Sequence, residues 1–261
     1  MFAQQAAWNM VKFRHRLLER VSHTAPTDIH LGVVSNTVRE TSGCEPGELW
    51  TIPTGQLEHA KGEVPILTAE SDAETWVRRL GRHDYCGLPQ YFEAMRFAMD
   101  GRNPGFPRPG ALLLILLMAP DNDCSLKDAS LLSKAELWPP GFHHYYARCC
   151  QPPKGLLYDV GGYVDALLRQ HSQKIFVYVA TVPRPATFLP DGSYYYVKNL
   201  VACEGLSGTC TAAPRLASFD KAIEARKDPR LRVRMADITK PGCMDLFTED
   251  LVDEIVRFGE L

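Results

Sequence analysis

Residues 111–119 read ALLLILLMA, a run without a single polar side chain that stops at Pro120. It is about half the roughly 20 apolar residues needed to cross a bilayer as a helix. A short, uninterrupted apolar run bounded by breakers predicts a strand buried on both faces. The breaker upstream is strong: GRNPGFPRPG at 101–110 holds three prolines and three glycines and cannot continue a helix. A chain built around such a strand has to cover it with other elements. With 261 residues, 45% hydrophobic and 23% charged, it has the material to do so. That composition excludes a disordered chain, and a formal net charge of -2 gives no global attraction to nucleic acid or anionic membrane.

The remaining pattern alternates helix and strand. Residues 64–68 predict a short strand. Ser71 and Glu74 form an S-x-x-E capping box that opens a helix over 72–80, with Ala73, Trp76, Val77 and Leu80 on one face. Helices are predicted over 90–99, 126–137, 163–170 and 218–227, the last capped by Ser218, and a final one is capped by Thr248. Strands are predicted over 175–182, 194–202 and 231–235, the last alternating apolar residues with arginine as an edge strand does. The expected fold class is α+β: a mixed sheet with several short helices over 61–261, preceded by an irregular Pro/Gly-rich N-terminal extension over 1–60. That extension opens with a basic amphipathic helix.

The first 18 residues contain Lys12, Arg14 and Arg16 and no acid, with Trp8, Val11, His15 and Leu18 at helical spacing. This is the pattern of a mitochondrial import segment, and no apolar secretory h-region precedes it. The eight cysteines form no C-x-x-C, and no Cys/His cluster has zinc-site spacing, so neither a metal nor a cofactor is expected. Free thiols in a reducing intracellular compartment, with the mitochondrial matrix as the organelle indicated, are the corresponding expectation.

Complete catalytic motifs are missing. The sequence has no G-x-G-x-x-G, no P-loop, no nucleophile elbow and no H-E-x-x-H. The catalytic candidates are therefore single residues. His143 and His144 sit beside Tyr145 and Tyr146 in a proline-rich loop, where imidazoles titrate near neutrality. Tyr163 begins a helix, and Glu204 stands in a glycine turn after the 194–202 strand. Asp121 and Asp123, just after the apolar run, read either as ligands at a strand end or as a turn and helix cap. Arg226, Lys227, Arg230, Arg232 and Arg234 make a basic cluster without interleaved aromatics, while the last 25 residues are acidic. That arrangement favours intramolecular or protein–protein complementarity over stacking on nucleic-acid bases.

Two segments, KIFVYVATVPRP at 174–185 and LVACEGLSG at 200–208, resemble the strand and the glutamate-bearing turn of heat-labile-enterotoxin-type ADP-ribosyltransferases. The resemblance implies a related core and an NAD- or nucleotide-using transferase. The chain departs from the family pattern at three places. The 111–119 strand has no arginine, Gly161–Gly162–Tyr163 stands where that family has a serine motif, and Leu200 stands where its catalytic glutamate falls. The resulting expectation is a non-catalytic structural or adaptor subunit of a larger assembly, with other protein subunits as partners and no membrane span. The alternative is a transferase on a degenerate ADP-ribosyltransferase-like core.

Overall fold

The computed structural model describes residues 2–22, 28–34, 55–57, 62–80, 90–119, 123–125, 155, 157–181, 214–237 and 248–260, with backbone alone at 2–8, 22, 79–80, 181, 214 and 237. In chain order the elements are α1 (Phe2–Ser22), β1 (His30–Leu31), β2 (Leu67–Thr68), α2 (Ala73–Leu80), α3 (Tyr91–Ala98) and β3 (Leu113–Ala119). They continue with α4 (Val160–Gln170), β4 (Ile175–Thr181), α5 (Pro214–Arg226), β5 (Leu231–Asp237) and α6 (Glu249–Glu260). The fold is α+β. Its parallel and antiparallel pairings occupy separate sheets: β1 and β2 form an antiparallel ribbon, and β3, β4 and β5 form a three-stranded parallel sheet in that order.

The parallel sheet is in register, with Leu113 opposite Ile175 and Ile175 opposite Leu231. Side chains alternate between faces along a strand, so two cores result. Leu113, Leu117, Ile175, Val177, Val179 and Leu231 face α3, α4 and α5. Phe176, Tyr178 and Ala180 face α1, α2 and α6, meeting Phe13, Trp76, Leu251 and Ile255. Both crossover helices, α4 and α5, cover the same face, as successive crossovers of one hand require. Each fully buried Leu or Phe in these layers contributes about 1.5–3 kcal/mol of transfer free energy.

Several expectations shift here. The strand enclosed throughout is β4, buried from Ile175 to Ala180; in β3, Leu114, Ile115, Leu116 and Met118 are half-buried. The reason is position: β4 has a strand on each side, whereas β3 has one hydrogen-bonded neighbour among the described residues. At α2 the cap is Asp72, not Ser71. The Thr75 N–H donates to Asp72 Oδ1 (2.8 Å) and its hydroxyl to Oδ2 (2.7 Å), while the Ser71 hydroxyl accepts the Thr68 N–H (3.0 Å) in the preceding turn. Helix α5 begins at Pro214 and not at Ser218, because proline is preorganised for the first helical position and has no N–H to leave unpaired. Helices and strands expected at 126–137 and 194–202 lie outside the described residues.

Helix α1 belongs to the second core. Met10, Val11 and Phe13 are buried, whereas His15 is exposed, so the buried stripe is rotated from the expected one; the side chain of Trp8 lies outside the described residues. Arg16 and Arg20 pair with Glu249 (3.4 Å) and Asp253 (2.6 Å) of α6. No described helix is long and apolar enough to cross a membrane.

Candidate functional site

Residues 123–125 follow β3 at the C-terminal edge of the parallel sheet, the edge from which the connections 120–156, 182–213 and 238–247 depart. In parallel sheets this edge is the usual place for ligand chemistry. Here it holds a buried polar network. Asp123 is fully buried; its Oδ1 accepts the Phe92 N–H (3.0 Å) and the Ser125 hydroxyl (2.7 Å). Its Oδ2 accepts the Ser125 N–H (3.1 Å) and the Arg215 Nε–H (3.0 Å). Ser125 Oγ in turn accepts the Glu93 N–H (3.0 Å).

These bonds solve a local problem. Gln90, the residue preceding α3, makes no capping bond through its side chain, so the first-turn N–H groups of α3 need acceptors from elsewhere. Asp123 and Ser125 supply them across more than thirty positions of sequence, and a carboxylate at a helix N-terminus also complements its dipole.

Tyr163 completes the network. Its hydroxyl donates to Glu93 Oε1 at 2.7 Å, and Glu93, itself 1% exposed, also binds Arg96 (Nη2–Oε2, 2.6 Å). Burial, then the charges of Asp123 and Glu93, push the Tyr163 phenol far above its ordinary range. It is therefore a fixed donor rather than a base. Burial works against the charge on Arg96, but its bond to Glu93 and the charge there more than offset this and raise its pKa. Aromatic packing surrounds the polar groups: the Phe92 ring centre is 5.3 Å from Tyr163 and 4.7 Å from Phe219. The guanidinium of Arg215 lies 5.8 Å over Phe92. Together these contacts join α3, α4, α5 and the segment after β3.

Within this segment Cys124 is fully buried and disulfide-bonded. This corrects the expectation of a free thiol at that position. The other seven cysteines lie outside the described residues, as do His143, His144, Glu204 and Asp121. The structure thus places one of the four catalytic candidates, Tyr163, and gives it partners that the sequence did not nominate, Glu93 and Ser125, within a network that also holds Arg215. The available signals were the D-x-S at 123–125 after an apolar strand and a glutamate with arginine three residues on in α3.

The basic cluster sits around α5 and β5. Arg226 pairs with Asp165 (2.8 Å) and Arg230 with Asp228 (2.7 Å). Arg234 bridges Asp250 (2.5 Å) and Glu254 (2.8 Å), and Arg232 lies 3.6 Å from Glu254. Lys227, at φ 50, is exposed just past α5. Arg232 and Arg234 thus meet the acidic C-terminal segment within the chain, whereas Arg226 and Arg230 pair with acids of α4 and of the turn before β5. Among the described residues no group of three or more His, Cys, Asp or Glu is placed to hold a metal. No family model, curated protein or solved structure matches the chain.

Proposed function

We propose that this chain acts through protein contacts, as a non-catalytic structural or adaptor subunit of a larger assembly. The observation that carries the reading is the Tyr163–Glu93 bond inside the Asp123 network. At the edge where parallel sheets usually present chemistry, Asp123, Ser125, Glu93 and Tyr163 are hydrogen-bonded within one network that holds three helices together. The surface offered to partners is the mixed-charge strip formed by Arg226, Lys227, Arg230, Arg232 and Arg234 with their acidic neighbours. Four of those five cations already have carboxylate partners, which supports a protein partner over nucleic acid.

The test is the native mass of tagged protein recovered gently from its source cells. A species well above 29.2 kDa, dissociated in part by Lys227→Glu, is expected. A single monomeric peak would overturn the reading.

A second reading is favoured by one observation: the connections carrying His143, His144 and Glu204 leave from the same sheet edge. It is the transferase on a degenerate ADP-ribosyltransferase-like core. Saturable binding of NAD to the full chain, weakened by Glu204→Gln, is its expected result; no binding at millimolar NAD removes it.

A further inference from the structure

The opposite end of the sheet is built differently. A half-open cavity of about 630 Å³ lies among α1, α6, the β1 strand and the first residues of β3, within the roughly 300–1,000 Å³ typical of small-molecule sites. Its walls are largely apolar, with Phe13, Leu17, Leu31, Leu114 and Ile255 among them. Three polar atoms in its lining are shielded from solvent and have no hydrogen-bond partner among the described residues: Arg14 Nε, Trp76 Nε1 and His30 Nδ1. Trp76 is 2% exposed, so its indole N–H has no recourse to bulk water. Buried polar atoms are ordinarily satisfied, and the Arg14 Nε–H and Trp76 Nε1–H left without acceptors beside one cavity point to something that belongs in it.

The other charged or titratable groups in the lining are already engaged or lie at its rim. Arg108 pairs with Asp28, and His30 Nε2 is 3.3 Å from the same carboxylate. His171 Nε2 is 3.0 Å from the Ala111 carbonyl, and Glu260 is exposed at the end of α6. Arg14 differs from these. Its Nη2 donates to the Ala69 carbonyl and its Cζ sits 5.1 Å from the centre of the Trp76 ring, but no described acid pairs with it. A cation without a counter-ion thus stands beside an indole N–H without an acceptor, at one wall of an apolar chamber.

We infer that the cavity binds a single-chain amphiphile with a carboxylate head. The two oxygens accept from Arg14 Nε–H and Trp76 Nε1–H, and the hydrocarbon tail lies against the leucines and phenylalanine. A carboxylate suits Arg14 because an ionised acceptor makes the shorter and stronger hydrogen bond.

The test is calorimetric titration of the full chain with dodecanoate, dodecanol and dodecyltrimethylammonium, each below its micellar concentration. Saturable one-to-one binding of dodecanoate is expected, with the cationic amphiphile at least tenfold weaker. Arg14→Gln should weaken dodecanoate at least tenfold while leaving dodecanol within about threefold. If that variant fails to fold, Val256→Trp, which fills the cavity from α6, should abolish binding of both. Equal affinity for the three head groups overturns the assignment. Absence of saturable binding does so as well, and would mean that water alone satisfies the donors.

Discussion

The two ends of the parallel sheet use buried polar groups differently. At the C-terminal end, Asp123, Ser125, Glu93, Tyr163 and Arg215 bond to one another and to the α3 backbone. At the N-terminal end, Arg14, Trp76 and His30 keep donors or ring nitrogens without partners around a cavity. Two buried asparagines differ in the same way without following the two ends, since Asn103 lies in the 101–110 segment that leads into β3. Asn103, 7% exposed, donates to the Gly55 and Ala98 carbonyls (2.8 and 2.9 Å) and accepts the Leu57 N–H (3.0 Å). Asn9, 2% exposed, has no partner for either amide atom among the described residues. The Asp123 network ties three helices together, whereas Arg14 and Trp76 leave N–H groups beside an open cavity.

Changes at the C-terminal end should be costly. Asp123→Ala removes four accepted bonds and leaves Arg215 without its buried counter-charge, for an expected loss of about 3–5 kcal/mol, measurable by urea unfolding. Tyr163→Phe deletes one hydroxyl bond to a carboxylate and should cost about 1.5–3 kcal/mol. A cost near zero for both would erase the distinction between the ends. Asn9→Leu should instead stabilise the chain, by about 1 kcal/mol, because it removes a buried amide that bonds to nothing; a lowered melting temperature would mean that the amide has a partner.

The smallest effect is with pH. Bonds from Thr248 and Arg234 hold the Asp250 carboxyl at about 2. Bonds from neighbouring side chains likewise lower Asp72 (from Thr75), Asp100 (Arg102), Asp165 (Arg226) and Asp228 (Arg230). Groups with lowered folded values stabilise the fold above the ordinary carboxylate range and lose that contribution as pH falls through their folded values. Asp220 runs the other way, raised by burial and by Glu224. Thermal unfolding from pH 5 to pH 2 should therefore show a declining melting temperature, with the last decrement near pH 2 weakened in Arg234→Gln.

What the sequence disclosed follows the range of the interactions involved. The apolar runs at 111–119 and 175–181, the breaker at 101–110 and the helix after Thr248 are local patterns and reappear as elements. The α2 cap was misplaced by one residue because Ser71 and Asp72 are both competent, and only the turn at Thr68 decides between them. Asp123 was legible as a cap but not as the cap of a helix that precedes it by some thirty residues. Nothing local marks Arg14 and Trp76 as a pair. Their juxtaposition arises from the packing of α1 on α2, and a missing partner leaves no trace in sequence.

The contrast between the two ends is tested most directly by hydrogen–deuterium exchange of the full chain with and without dodecanoate. Slower exchange is expected in peptides covering 9–17, 28–34, 73–80 and 110–116, with no change in 91–98, 160–170 and 214–226. Protection concentrated in the second group, or none anywhere, would contradict the assignment of the open end as the binding end.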